Sequence, residues 1–232
     1  MRLTPASHTE WLRTRKKYNM ASEAAVILDL SPWTTKAQLY DDKTSPEVVE
    51  KHGAQLVHGH RMEDPMRKIA ILELPYFKWD YHEYDILVSD RHPWMGATLD
   101  GELTVTDPMN PWGFPVGTKG IYEGKTGSWK SEKNLYTWNG VDSDIPDYYY
   151  AQGLHQLECA NAAFVIFQAR LKRDAYRDSD NGLPEIRTFY RIIDRRIPEV
   201  QADIEYLIAQ EKEFREKHLI PRIRPQVILK AI

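Results

Sequence analysis

The chain has 232 residues, 42% hydrophobic and 28% charged, which fits one substantial soluble domain, and no apolar run approaches the roughly 20 residues of a membrane span. A formal net charge of −3 excludes a surface coated in positive charge, so any nucleic-acid-binding patch must be local. The single cysteine, Cys159, excludes an internal disulfide and a cysteine-ligated zinc or iron–sulfur centre; with no apolar signal stretch at the N-terminus, a reducing cytoplasm is expected.

Ser7-His8-Thr9-Glu10 has the form of a capping box and predicts a helix from about His8 to Lys17. A short second helix is expected over Ser22 to Leu28, where Ala24, Ala25, Val26 and Ile27 favour burial. Ser31-Pro32-Trp33 breaks it, and Thr34 or Thr35 can cap a brief helix reaching about Tyr40. Ser45-Pro46 reads as a cap followed by proline at the first helical position. It would open a long helix through Val48, Val49, Leu56, Met62, Ile69 and Leu72, which Pro65 should kink or interrupt.

From Tyr76 to Val105 the pattern changes to short β-prone pieces, punctuated by Asp90-Arg91-His92-Pro93 and Asp100-Gly101. The proline- and glycine-rich stretch Thr106 to Gly120 marks a loop before the strand bearing Glu123, and Ser128 to Ile145 reads as a second irregular stretch. A helix begins near Pro146 or Asp147 and runs through Cys159. Phe164 to Leu171 alternates as a strand, with Ile186 to Ile193 its antiparallel neighbour across a turn at Asp180-Asn181-Gly182. Pro198 to His218 has the spacing of an amphipathic helix. These elements make one α/β domain, with helices mainly at its two ends and strands in the middle.

The chemistry-bearing residues are Asp100, at the close of one strand, and Glu123 and Lys125, two apart on the next. Alternation puts Glu123 and Lys125 on one face and turns Gly124 away. Metal-dependent phosphodiester cleavage needs such a set. Two carboxylates suffice for Mg²⁺, a hard ion that keeps several waters, and leave positions for a phosphate and an attacking water. The lysine can orient that water or neutralise developing charge.

Trp11 and Arg15, four apart, share one side of the first helix. Arg15 offers a planar fork suited to phosphate and Ser22 adds a hydroxyl beside free amides, so the two could form an anion pocket. In the plainer reading Trp11 packs, Arg15 pairs with a surface carboxylate and Ser22 caps a helix. Glu63 is either a solvated helix residue or a third carboxylate near the metal. Tyr149, Gln152 and Gln156 form one polar helical stripe, able to grip a nucleic-acid backbone or simply to face solvent. His58 and His60 have poor ligand spacing on a helix and read as surface histidines.

In order, Trp11-x-x-x-Arg15, Ser22-Glu23, Ser31-Pro32-Trp33, Glu63, Asp100-Gly101, Glu123-x-Lys125 and Tyr149-x-x-Gln152 resemble the YqaJ-like viral recombinase family, the lambda-exonuclease family of PD-(D/E)XK nucleases. The resemblance runs from about residue 10 to residue 160. It implies an α/β restriction-endonuclease-like core, a central mixed β-sheet flanked by helices, over about residues 8–172 of a single exonuclease domain spanning 1–232. A C-terminal strand and helix would occupy about 183–220. The implied activity is Mg²⁺-dependent digestion of one strand of linear duplex DNA from a 5′ end, with Mn²⁺ able to substitute, leaving a 3′ overhang for single-strand annealing recombination.

By motif position, the resemblance makes Asp100 and Glu123 metal ligands, with Glu63 an additional acid, and has Lys125 assist the attacking water. Arg15 and Ser22 would receive the terminal 5′ phosphate, and Gln152, Thr98 and Tyr149 would complete the DNA-contacting set. It further implies a homotrimeric ring around DNA, a single-strand annealing partner, and a phage or prophage protein in the bacterial cytoplasm. The chain departs from the family pattern in carrying Thr98-Leu99 where Ser-Pro usually precedes the aspartate, and in a longer gap from Asp100 to Glu123. Two other readings keep the same fold: an endonuclease or single-strand nuclease, and a non-catalytic DNA-end-binding recombination scaffold. The intact acids argue against the scaffold, because a pure binder would hold phosphate better without them.

Overall fold

The computed structural model describes residues 1–48, 53–129, 138, 145–173 and 185–226. After the short strand β1 (Arg2–Leu3), Ser7 caps α1 (His8–Arg15) by accepting from the Glu10 amide at 3.2 Å. Glu10 reaches back to the Ala6 amide rather than to that of Ser7. Strand β2 (Asn19–Met20) leads through a 3-10 turn, Ala21–Glu23, into α2 (Ala24–Ile27), all four of whose residues are buried. Thr35, not Thr34, caps α3 (Lys36–Thr44), and Gln38 completes the reciprocal box.

The next helix differs from the expectation. Ser45 is the extended C-cap of α3, its amide donating to the Asp41 carbonyl at 3.0 Å, and α4 (Ala54–Glu73) starts only after Gly53. A residue before proline is pushed out of the helical region, so Ser45-Pro46 ends one helix instead of opening the next. Val49 lies outside the described residues. Pro65 stays within α4 without ending it: the ring is exposed, so its carbonyl partner one turn back can turn to water, while Met66, Arg67 and Ala70 are buried against the body.

The β-rich middle forms two sheets. Strands β3 (Phe77–Asp80), β6 (Gly101–Val105), β7 (Lys119–Trp129), β8 (Phe164–Arg173) and β9 (Ile186–Asp194) make the five-stranded sheet, in the order β3-β6-β7-β8-β9. It is mixed: β7 and β8 run parallel, and the other neighbours antiparallel. Strands β4 (Ile86–Val88) and β5 (Met95–Ala97) join β1 and β2 in a second, four-stranded sheet of order β1-β4-β5-β2. Strands β4 and β5 lie in the β-prone stretch expected over Tyr76 to Val105, but strands this short carry no readable alternation, so their pairing with β1 and β2 in a separate sheet was not expected. Ser128 and Trp129, read as loop, belong to β7; residues 130–137 and 139–144, and the expected turn at 180–182, lie outside the described residues.

A parallel pair needs a crossover, and α5 (Asp147–Ala160), lying between β7 and β8 in the chain, supplies it. Helix α5 and α6 (Pro198–Phe214) cover one face of the sheet, where Ile121, Val165 and Phe167 pack with Leu154, Leu157 and Leu207. On the other face Tyr122, Phe164 and Ile166 pack with Ala70 and Leu74 of α4. Glu123 and Lys125 therefore share the face of Ile121 and look toward α5. None of the described helices is long and apolar enough to cross a membrane.

One buried polar tie joins α5, α6 and β5. The His155 ring meets Glu211 Oε1 through Nδ1 at 2.8 Å and the Gly96 carbonyl through Nε2 at 3.0 Å. Burial alone would lower the imidazole pKa, but the Glu211 carboxylate reverses this and holds it well above the usual value. A pKa raised in the folded state means that this stabilisation is complete below about pH 6.5, the unfolded imidazole value, and is lost as pH rises through the folded pKa. The urea midpoint should therefore fall as pH is raised from about 6, and His155→Gln should flatten that dependence. A midpoint that climbs over the same range, or an unchanged profile in the variant, would contradict the tie.

Candidate active site

Strands β6 and β7 pair with Gly101 opposite Tyr122, and continuing that register puts Asp100 opposite Glu123. Asp100 thus sits immediately before β6 rather than closing the strand that precedes it. Its Oδ2 accepts from the Gly124 amide at 2.9 Å, and its carbonyl accepts from Arg67 at 2.8 Å. Arg67, itself buried, stacks over the Tyr81 ring at 3.5 Å, which fixes the guanidinium that holds the Asp100 main chain.

Glu123 is only 4% exposed. Its Oε1 accepts from Lys125 Nζ and from Gln152 Nε2, each at 2.6 Å, and its Oε2 accepts from Gln156 Nε2 at 2.7 Å. Lys125 also donates to Gln152 Oε1 at 2.9 Å and lies 4.5 Å from the centre of the Tyr149 ring. Burial and then the Glu123 charge raise the Asp100 pKa well above the carboxylate range, against the opposing pull of Lys125. Burial would lower the Lys125 pKa, but the Glu123 carboxylate, with Tyr149 and Asp100 behind it, raises it overall, so the ammonium persists.

The N-terminal residues converge on the same place. Trp11 Nε1 donates to Thr98 Oγ1 at 3.0 Å, two residues before Asp100, and the Arg15 guanidinium lies 4.3 Å above the Trp11 ring. Arg15 donates to Ser22 Oγ at 2.9 Å, so its hydrogen bond goes to a hydroxyl and not to the surface carboxylate of the plainer reading. Behind them Lys43, nearly buried, pairs with Glu23 at 2.7 Å and donates to the carbonyls of Arg15 at 3.0 Å and Tyr18 at 2.5 Å. One ammonium thereby ties the end of α1 to the turn that carries Ser22.

A cavity of about 550 Å³ collects these groups, with Asp100, Glu123 and Gln152 beside Arg15, Ser22 and Trp11 in its walls. Glu63 and Thr98 also line it, as do His8 and Tyr84. Lys125 and Tyr149 do not: Lys125 meets the cavity-lining Glu123 and Gln152 from behind, and Tyr149 backs Lys125. Glu63 accepts from or pairs with His60 Nδ1 at 2.9 Å, which gives His60 a place at the cavity that its sequence spacing did not suggest. Among the described residues, no group of three or more acidic, histidine or cysteine side chains is arranged to hold a metal ion. Glu123 acts on Asp100 more strongly than Glu63 does, and two hard oxygens completed by water and phosphate are what Mg²⁺ takes. The donor set fits that ion, with Glu63 set back beside His60.

Arg67 and Lys43 escaped the sequence reading, as did the burial of Gln156, which the sequence shows only as part of a polar stripe. Gln156, at the inner end of the polar stripe, is fully buried against Glu123, and Arg67 and Lys43 act on the site through main-chain carbonyls. The only local signal was the i,i+4 spacing of Gln152 and Gln156.

A family model for the YqaJ-like viral recombinase domain matches residues 10–163, and the chain belongs to that family. Its fold is the mixed α/β arrangement expected there, a mixed sheet flanked by helices, with Asp100 just before β6, Glu123 on the antiparallel neighbour β7 and the parallel strand β8 alongside. The chain is 30% identical over 152 residues to "Uncharacterized protein YqaJ" of Bacillus subtilis (strain 168). That match covers 65% of this chain but 42% of the relative, so the chain spans less than half of that protein's length. Among solved structures it is similar to an alkaline exonuclease from Laribacter hongkongensis, at 18% identity and a TM-score of 0.49 over 90% of this chain and 95% of that one. It is also similar to a phage-related exonuclease from Haemophilus somnus 129PT, at 12% identity and a TM-score of 0.48 over 88% of this chain and 95% of that one.

Lys43 gives the site a stability test. Removing one partner of a buried pair leaves the other uncompensated, so Lys43→Ala should lower the unfolding free energy by about 3 kcal/mol or more in urea titrations. A loss under about 1 kcal/mol, as for an exposed pair, would show that Lys43 is not the tie described here.

Proposed function

We propose that the chain is a metal-dependent deoxyribonuclease that digests one strand of linear duplex DNA from a 5′ end and leaves a 3′ overhang for a single-strand annealing protein. The observation that carries this reading is one cavity that places Asp100 and Glu123, with Lys125 bonded to Glu123, beside the Arg15–Ser22 pair. Asp100 and Glu123 would hold Mg²⁺, or Mn²⁺ in its place. Such an ion, when bound, supplies neutralisation of phosphate charge and a more acidic water.

The chain's own residues do the rest. Lys125 presents an ammonium that Glu123 and Gln152 aim, able to orient the attacking water or to donate to the phosphoryl oxygens as charge builds. Arg15 offers its fork and Ser22 its hydroxyl to a terminal phosphate, and the Trp11 ring beneath the guanidinium restrains it. The cavity is in the size range of small-molecule sites, which suits a strand end rather than an uninterrupted duplex. This favours the end-directed reading over the endonuclease. A homotrimeric ring around DNA, by family membership, is part of the same proposal.

On end-labelled linear duplex with Mg²⁺, the chain should release label while covalently closed circles stay intact. Asp100→Ala should lose more than about 100-fold in rate, beyond what an outer-shell partner usually contributes. Cleavage of closed circles, or a variant within about tenfold of the parent, would contradict the assignment. Arg15→Ala should slow digestion of 5′-phosphorylated ends about tenfold more than that of 5′-hydroxyl ends, the scale of one charge-assisted hydrogen bond. An equal loss on both ends would make Arg15 structural.

A further inference from the structure

We infer that Gln156, and behind it the His155–Glu211 pair, are positioning residues that set the Glu123 carboxylate for metal binding, so that the C-terminal helix acts on the active site through α5. The inference rests on the nuclease reading of the site and extends it to residues that do not line the cavity.

Glu123 is gripped from one helix at both of its oxygens. Gln152 donates to Oε1 at 2.6 Å and Gln156 to Oε2 at 2.7 Å, and the two glutamines are one turn apart on α5. Their positions differ in kind. Gln152 lines the cavity and can touch DNA, whereas Gln156 is fully buried and does not line it. Gln156 therefore has no route to the substrate except through Glu123. Its own Oε1 is buried without a hydrogen-bond partner among the described residues, an unfavourable arrangement that an apolar side chain would avoid. The amide is poorly explained by stability and well explained by the carboxylate it holds. Hydrogen-bonded second partners of this kind orient metal ligands and tune their affinity.

The orientation of Gln156 depends on the rotation of α5, and His155 fixes that rotation. Side chains 155 and 156 leave the helix about 100° apart, so a twist that broke the His155 contacts would also withdraw Gln156. His155 is bonded on both ring nitrogens, to Glu211 on α6 and to the Gly96 carbonyl on β5, and the His155 and Glu211 side chains are both sealed from solvent. Glu211 lies beyond residues 10–163, so the tie brings a helix outside the matched segment to bear on the family's site.

The test is calorimetric titration of Mn²⁺ into the full chain without DNA, alongside DNA-end binding by anisotropy without metal, and kcat and KM with Mg²⁺. Gln156→Leu should remain folded by circular dichroism, keep DNA-end affinity and KM within about twofold, and lose about 10- to 100-fold in Mn²⁺ affinity and kcat. Glu211→Gln, which keeps the shape of the pair, should lose Mn²⁺ affinity in the same direction by a smaller factor, at temperatures well below its melting point. Unchanged Mn²⁺ affinity and kcat in folded Gln156→Leu would overturn the inference while leaving the nuclease reading intact. A Glu211→Gln variant that melts earlier but binds Mn²⁺ normally would make the His155–Glu211 pair purely structural and overturn that half. If the parent chain itself neither binds Mn²⁺ nor digests DNA, the nuclease reading falls and this inference with it.

Discussion

The arrangement turns on keeping two carboxylates side by side where water is scarce. Asp100 and Glu123 stand opposite one another at the β6–β7 junction, and their mutual repulsion adds to burial in disfavouring the charged state of Asp100. A low-dielectric site with two negative charges survives only if it is compensated nearby. Lys125 supplies the countercharge, the Gly124 amide supports Asp100, and two glutamines take up the lone pairs of Glu123. A divalent cation between the acids would add the compensation that the protein leaves incomplete.

The mixed sheet meets that requirement. Antiparallel pairing of β6 and β7 brings Asp100 opposite Glu123, and parallel pairing of β7 with β8 demands a crossover long enough to contain a helix. The helix is α5, and it lies on the face to which Glu123 and Lys125 point. Its two glutamine amides do for Glu123 what loose loops could not, since partners on a packed helix hold their geometry. The N-terminal elements then close the cavity from another direction, with the Trp11–Thr98 bond linking α1 to the segment that ends at Asp100.

What could be read from the sequence was whatever short-range chemistry determines. The Ser7 and Thr35 caps, the shared face of Glu123 and Lys125, and the i,i+4 pair of Trp11 and Arg15 all depend on neighbours in the chain. Ser45-Pro46 misled because serine before proline suits a helix start and an extended helix exit equally well. The stripe carrying Gln156 could equally grip a nucleic-acid backbone or face solvent, and His155 drew no reading, since their partners lie far away in sequence: Glu123 for the one, Glu211 and Gly96 for the other. Arg67 and Lys43 were silent for a different reason, because they act on backbone carbonyls that any residue carries. Long-range polar contacts in a core leave no periodic trace.

The most direct test is an anomalous-difference map from crystals of the full chain soaked in Mn²⁺. The account predicts one peak within coordination distance of carboxylate oxygens of both Asp100 and Glu123, in the cavity that also holds Arg15 and Ser22. Saturating Mn²⁺ that leaves those two carboxylates without a peak, or an ion bound only elsewhere on the chain, would contradict it.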